Sequence, residues 1–335
     1  MSTPSDTPSG IPRRLRDDLL AASRFIVGPT ASGKSTVAMH LADRLNAEII
    51  ALDSRTIYRG FDIGTAKPSA DDQAAVRHHL VDVADATDAF NAADYIVQAV
   101  AAAADIVARG RTPLFVGGAG MYLRSLLRGV FDGPPSDPAN RAAIEAELDR
   151  VGVAAMHGKL AAIDPVAAAR IAVRDRQRVV RALEVFQTSG RRFSDWHTQP
   201  TFRPGAHAIW LDRPRSELHD RINDRVPQMI ADGWTDEVRR LLDRKPPAGS
   251  VFWKNLGYPQ LADVLCGRRT LPDAVTEIQT LTRQFAKRQV TWFRGLDEVT
   301  AVPVDQSDSL DAAAARVSAT LESGGVGPSS DRRSR

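Results

Sequence analysis

GPTASGKS, residues Gly28 to Ser35, lies between a short β-forming run, Arg24 to Val27, and a helical stretch from about Gly33 to Leu45. The spacing is Gly, four residues, then Gly-Lys-Ser/Thr, in the strand–turn–helix setting that a phosphate loop requires. Such a loop works because successive backbone N–H groups and a helix N-terminus converge on phosphate oxygens. Gly28, Pro29, Thr30, Ala31, Ser32, Gly33, Lys34 and Ser35 are therefore the candidates for holding a di- or triphosphate. Lys34 neutralises charge, and Ser35 can hold Mg²⁺. The motif specifies a phosphate ligand and no more.

Outward from this loop, strand and helix alternate. Ala47 to Leu52 is a second apolar strand and His79 to Val83 a third. Tyr95 to Ala108 is an alanine-rich helix closed by Gly110, and Pro113 to Val116 runs into Gly117-Gly118. This spacing predicts a parallel sheet with helices on both faces. FDGPPSDP (131–138) reads as a hinge, and from Ala139 to about Arg192 only helical patterning is present. His207 to Leu211 is again strand-like, with long helical stretches following. The expected fold is α/β: a P-loop parallel-sheet core flanked by helices, with an all-helical insertion domain. The expected bounds are a disordered tail over 1–20, a core over 21–131 and 204–303, an insertion over 132–203, and a C-terminal helix with a disordered tail over 304–335.

Composition narrows the class. The 335 residues are 43% hydrophobic and 25% charged, as in an ordinary globular protein. One cysteine, Cys266, excludes a disulfide framework and a cysteine-ligated zinc site, which fits a reducing cytosol. No apolar run approaches the roughly 20 residues of a membrane helix. The first twenty residues lack the apolar segment of a secretory signal, so a cytoplasmic protein with no membrane partner is expected. A net charge of +3 does not announce a nucleic-acid binder; its distribution says more.

Four further stretches carry chemical information. Asp53 ends the second strand in ALDSRTIYRGFDIGTAKP (51–68), and a carboxylate there points into the crevice beside the phosphate loop. Position alone leaves two roles open for it: acting on substrate, or holding Mg²⁺ through water. FVGGAGMYLRSLLRG (115–129) is a strand, a Gly-Gly turn and a helix; such a turn presents backbone donors near phosphates, and a tight helix–strand junction would need the same glycines. In LTRQFAKRQVTWFR (281–294), Arg283, Lys287 and Arg294 form a basic helical stripe, with Arg288 beside it and Phe285, Trp292 and Phe293 among them. That mixture favours a polyanion over a merely solvated face. RIAVRDRQRVVRALEVFQTSGRR (170–192) holds seven arginines against two acids, with Arg174, Arg178 and Arg181 on one helical face. The adjacent His78-His79 point to opposite faces of a strand and do not suggest a metal site.

GPTASGKS, DSRTIYRGFDIGTAKP, HHLVDV, VGGAGMYLRSLLRG, QRVVRALEVFQTSG, LGYPQ and RQFAKRQVTWFR occur here in the order found in tRNA dimethylallyltransferases, also called tRNA isopentenyltransferases. The chain resembles that family from about Arg24 to Arg294. The resemblance implies transfer of a dimethylallyl group from dimethylallyl diphosphate to the N6 amine of the adenosine 3′ of the anticodon. It implies Mg²⁺ as cofactor and the tRNA anticodon stem-loop as partner, and a monomer is expected. It places Thr30 to Ser35 on the prenyl donor, makes Asp53 the general base, and aligns Arg221 with an arginine facing the diphosphate; Lys34, Asp53 and Arg221 are then the catalytic set. The expected tRNA contacts are Asp53, Ser54, Arg55, Thr56, Ala119, Arg141, Gln177, Arg178, Val179, Val180, Arg181, Gly257, Tyr258, Lys287, Arg288 and Arg294. Two positions depart from the family pattern. Ala119 stands where a Thr is usual, removing one hydroxyl, and Thr56 stands where Gln is common.

Three other activities share part of this pattern. An adenylate isopentenyltransferase needs the loop and Asp53 but not a basic helical insert. A phosphate-loop small-molecule kinase leaves the insert and the AKRQ helix without a role. An RNA-binding paralogue that has lost its chemistry is suggested by Ala119, against which Lys34, Ser35 and Asp53 all remain.

Overall fold

Six strands, all paired in parallel, form one sheet in the order β3-β2-β4-β1-β5-β6. They are β1 (Arg24–Val27), β2 (Ala47–Leu52), β3 (His78–His79), β4 (Thr112–Gly117), β5 (His207–Asp212) and β6 (Val299–Pro303). The computed structural model describes residues 13–88, 90–129, 133–196 and 207–323. β3 is two residues long where the sequence predicts a strand through Val83. Leu80 and Asp82 take left-handed backbone angles, φ 61° and 56°, and break the extended run.

The strands read as continuous apolar runs because helices cover both faces of a parallel sheet. The helices preceding the insert are α1 (Arg13–Ala22), α2 (Lys34–Ala42), α3 (Ala70–Ala75), α4 (Ala92–Ala108) and α5 (Gly120–Arg128). α1 occupies part of the tail expected up to residue 20. It is held because Leu19 and Leu20 are buried and the helix packs on α4. Residues 1–12 and 324–335, also expected as tails, lie outside the described residues, as do Phe131 and Asp132 of the predicted hinge.

The chain divides into two compact units, 1–127 with 202–335, and 128–201. The smaller unit holds α6 (Pro138–Val151), α7 (Val153–Ile163), α8 (Pro165–Arg170), α9 (Arg176–Ser189) and a 3₁₀ turn at Phe193–Trp196. Ile144, Leu148, Met156, Leu160, Val179, Val180 and Leu183 form its core. Each buried aliphatic chain stabilises it by about 1.5–3 kcal/mol. A buried carboxylate, Glu184, sits at its edge and accepts from Ser136 Oγ at 2.5 Å, Asp137 N at 3.0 Å and Arg181 Nη1 at 2.9 Å. Burial pushes the Glu184 carboxyl up, but the bonds from Ser136 and Arg181 outweigh it and hold the group below the usual carboxylate range.

In the larger unit the chain continues through α10 (Arg215–Ala231), α11 (Trp234–Asp243), α12 (Val251–Lys254), α13 (Tyr258–Leu265), α14 (Leu271–Arg294) and α15 (Leu310–Glu322). α15 packs on α2 and contributes Ala314, Val317 and Leu321 to the core over one sheet face. α10 packs on α14. A second core joins Ile57, Phe61, Trp234, Phe252, Tyr258 and Ile278 beyond the strand ends.

Candidate active site

Strand register brings three chain segments to one end of the sheet. Val27 lies level with Gly117, and Leu52 also pairs with Gly117, so the loops after β1, β2 and β4 open at the same height. Ligands of open α/β sheets bind in this crevice, outside the carboxyl ends of the strands. Gly117 lets the strands close here, since a Cβ on it would lie 2.0 Å from the Leu52 carbonyl oxygen.

The phosphate loop is braced from behind. Arg221 Nε donates to the Ala31 carbonyl at 2.8 Å, and Arg213 Nε to the Ser32 carbonyl at 3.2 Å. Arg213 is itself fixed by Glu217 at 2.6 Å. Three loop amides are already engaged: Gly28 N–H with Gly117 O, Ser32 N–H with Pro29 O, and Thr30 N–H with the side chain of Gln289. The amides of Gly33, Lys34 and Ser35, at the start of α2, have no intrahelical acceptor and are placed to serve an anion. Gly33 supports this geometry with φ 93°.

A cavity of about 550 Å³ extends from the loop, bordered by Thr30, Lys34 and Ser35 at one part and by Asp53–Thr56, Gly117–Ala119, Arg225, Asn255, Phe285 and Arg288 elsewhere. Asp53 Oδ1 accepts from Arg55 N at 2.7 Å and Thr56 N at 3.4 Å, which closes a tight turn and fixes the carboxylate. Its second oxygen makes no hydrogen bond among the described residues. Lys34 Nζ donates to Pro29 O at 3.3 Å. Burial pushes the Lys34 amine down to about 8, with the Asp53 carboxylate opposing and the Arg225 cation assisting. Arg225 has no ion-pair partner among the described residues, so the cavity carries an uncompensated positive charge.

Gln289, on α14, ties the two glycine turns together. Its Oε1 accepts from Thr30 N at 2.8 Å and its Nε2 donates to Gly118 O at 3.0 Å. A Cβ at Gly118 would stand 2.3 Å from that Nε2, and one at Gly120 would stand 2.1 Å from the Trp292 ring. Gly118 and Gly120 of VGGAG are thus required by α14 pressing against them.

The sequence-predicted residues divide by location. Lys34, Ser35, Asp53, Ser54, Arg55, Thr56, Ala119 and Arg288 all border the one cavity. Arg221 reaches the loop by its bond to Ala31. Lys287 and Arg294 are exposed on α14, and Arg294 borders a separate hollow with Arg213, Arg215 and Arg316. Arg141, Gln177, Arg178 and Arg181 belong to the helical unit. There Arg141 and Arg181 neutralise Glu184, at 3.5 and 2.9 Å. Arg174 precedes α9 and so does not share a helical face with Arg178 and Arg181.

At three of the expected RNA contacts the side chain is enclosed by protein. Val179 and Val180 are buried in the helical core, and Tyr258 is fully buried, its hydroxyl donating to Glu237 at 2.6 Å. These side chains serve the packing of the helical core and of the loop that Glu237 holds. Glu237, absent from the predicted site, also accepts from the amides of Asp62, Ile63 and Gly64 at 3.0, 2.7 and 3.3 Å. Lys67 ties the same loop by donating to Tyr58 O at 2.8 Å and to Asp62 and Asp82 at 2.5 Å each. The Gly-rich DIGTAKP stretch is a rigid wall of the cavity. Gln289 lies within RQFAKRQVTWFR but is not singled out there, and Arg225 and Glu237 carry no motif signature; the bonds of Gln289 to Thr30 and of Glu237 to Asp62 span more than 170 residues of sequence.

Known proteins match this arrangement. The family model described as IPP transferase matches residues 56–296. A tRNA dimethylallyltransferase of Syntrophobacter fumaroxidans is 45% identical over 274 residues, 81% of this chain and 80% of that protein. One of a Roseiflexus species is 45% identical over 287 residues, covering 84% and 93%. The crystal structure of the full-length tRNA isopentenylpyrophosphate transferase of Bacillus halodurans superposes with a TM-score of 0.65 at 37% identity, covering 90% of this chain and 96% of that one. A eukaryotic dimethylallyltransferase acting on tRNA shares the fold, with a TM-score of 0.77 at 23% identity over 92% of this chain and 81% of that one.

Proposed function

The chain belongs to the IPP transferase family, and from that premise we propose that it transfers a dimethylallyl group from dimethylallyl diphosphate to the N6 amine of an adenosine beside the anticodon of tRNA. The observation that carries this is one cavity bordered both by the phosphate loop and by Asp53, whose charge is close enough to act on Lys34. A diphosphate leaving group and a base for the acceptor amine are thereby available in one space.

The allylic carbon–oxygen bond breaks as the carbon–nitrogen bond forms, so negative charge grows on the departing diphosphate. The amides of Gly33, Lys34 and Ser35, the Lys34 ammonium and the cations Arg221 and Arg225 supply preorganised positive charge, usually the largest catalytic term. Mg²⁺ fits the same place: the Ser35 hydroxyl borders the cavity, and no all-protein cage of His, Cys, Asp or Glu exists among the described residues. An ion held by one or two protein oxygens plus substrate phosphates is the usual arrangement for Mg²⁺. Bound there, it would neutralise diphosphate charge. Asp53 takes the amine proton through the oxygen that its turn leaves free. A base stacked in a loop cannot enter such a cavity, so the adenosine must be turned out of the stack. The exposed cations Lys287, Arg288 and Arg294, and Arg178 of the helical unit, suit RNA phosphates. No helix among the described residues is long and apolar enough to cross a membrane.

Incubation with labelled dimethylallyl diphosphate, Mg²⁺ and either unmodified tRNA or AMP tests this. Label is expected in tRNA only. Efficient labelling of AMP with inert tRNA would overturn the assignment in favour of an adenylate isopentenyltransferase.

A further inference from the structure

Three residues bordering the cavity carry a buried side-chain atom without a hydrogen-bond partner among the described residues: Trp234 at Nε1, Thr56 at Oγ1 and Asn255 at Nδ2. Thr56 is 6% exposed and Asn255 5% exposed, yet Thr56 Oγ1 and Asn255 Nδ2 make no hydrogen bond among the described residues. Both residues border the cavity that Asp53 borders. Native proteins keep few such atoms, because a buried donor without an acceptor forfeits its hydration for nothing. Each residue is also held by its backbone. Thr56 N donates to Asp53 Oδ1 at 3.4 Å and Thr56 O accepts from Asp82 N at 3.2 Å. Asn255, joining α12 to α13, donates its N–H to Phe252 O at 3.3 Å and accepts from Tyr258 N at 3.2 Å. Backbone bonds thus hold both residues in place on the wall.

Their chemistry restricts the ligand they can take. Asn255 Nδ2 only donates, and the Thr56 hydroxyl donates or accepts. A diphosphate is served elsewhere, by Lys34 and the α2 amides. The group that approaches Asp53 is the exocyclic amine of adenine, and adenine carries a ring-nitrogen acceptor on each side of it, N1 and N7. Guanine places an oxygen where the amine stands and a proton on N1.

We propose that Asn255, with Thr56, reads the acceptor base: Asn255 Nδ2 donates to a ring nitrogen flanking the amine whose proton Asp53 takes. Asn255 is then a specificity-determining residue, and the inference rests on the function proposed above. A site built to hydrogen-bond one base rejects another by leaving its own donor unpaired.

The test uses the full-length protein and three anticodon stem-loop RNAs, with adenosine, 1-deazaadenosine or 7-deazaadenosine at the target position. Single-turnover rates are measured for the native protein and for Asn255→Leu, which keeps side-chain volume and removes the donor. The native protein is expected to be about tenfold to a hundredfold slower on one deaza RNA, the range for stranding one buried donor. Asn255→Leu should lose a similar factor on adenosine and nothing further on that same deaza RNA. Thr56→Val should lower the adenosine rate by about tenfold. Equal native rates on all three RNAs would show that only water fills this wall, and would overturn the inference without any variant having to fold. Losses that multiply in Asn255→Leu overturn it as well. Failure of the native protein to modify the adenosine RNA at all would instead sink the proposed function, and this inference with it.

Discussion

Gln289 and Thr30 are 259 residues apart in sequence, yet the Gln289 side-chain oxygen accepts the Thr30 backbone N–H at 2.8 Å. The same amide donates to Gly118, so α14, whose outer face carries Lys287 and Arg288, is bonded on its inner face to both glycine turns. Gln289→Leu should leave one buried N–H and one buried carbonyl unpaired. We expect a stability loss of about 1–3 kcal/mol and a KM for the prenyl donor about tenfold higher, with tRNA affinity changed less. Thermal unfolding and steady-state kinetics check this; a variant with native donor KM would deny Gln289 any part in shaping the loop.

Donor binding should depend on pH through Lys34. Its folded value near 8 is depressed by burial, so the amine is charged below pH 8 and loses charge above it. A bound diphosphate favours the charged amine and raises that value. Affinity for dimethylallyl diphosphate should therefore be pH-independent with respect to Lys34 below about 7 and weaken above 8, by at most tenfold per pH unit. Titration calorimetry across this range, with Lys34→Ala as the control that lacks the dependence, decides it. A native affinity that strengthens above pH 8 contradicts the sign.

Asp53→Asn keeps a near-isosteric group that still accepts from Arg55 and Thr56. It removes the capacity to take a proton, and general-base catalysis is worth about 10²–10⁴-fold. The rate should fall by that factor, with tRNA affinity changed by less than about tenfold. A variant as fast as the native protein would show that Asp53 is not the base.

Ala119 borders the cavity and is only partly buried, so Ala119→Thr should be accommodated. Its added hydroxyl is expected to leave the rate unchanged or to raise it, up to about a hundredfold for one hydrogen bond to a charged group. Activity that appears only in Ala119→Thr would mark the native chain as a binder that has lost its chemistry.

Tyr258 and Arg288 separate structural from RNA-facing roles. Tyr258→Phe removes the donor to buried Glu237 and should cost about 1–3 kcal/mol of stability while leaving the salt dependence of tRNA binding as it was. Arg288→Ala, at an exposed position on the cavity rim, should scarcely alter stability but reduce the salt slope by about one. Reversal of these two patterns would mark Tyr258 as an RNA contact.

Local chemistry sufficed for the phosphate loop, the parallel sheet and the helical insert. GPTASGKS between a strand and a helix has one stable geometry, and apolar runs alternating with helices leave a parallel sheet as the way to bury both. The Asp53 position followed from the same rule about strand ends. Val179, Val180 and Tyr258 could not be sorted from their neighbours in this way, because a motif names a segment and not the face each side chain turns inward. Arg178 and Val179 are adjacent in sequence, and helical periodicity puts one in solvent and the other in the core. Gln289, Glu237 and the pairing of Arg141 with Glu184 were decided only by tertiary structure. Each answers a buried amide, carbonyl or carboxylate supplied from elsewhere along the chain, and that demand does not exist until the chain has folded.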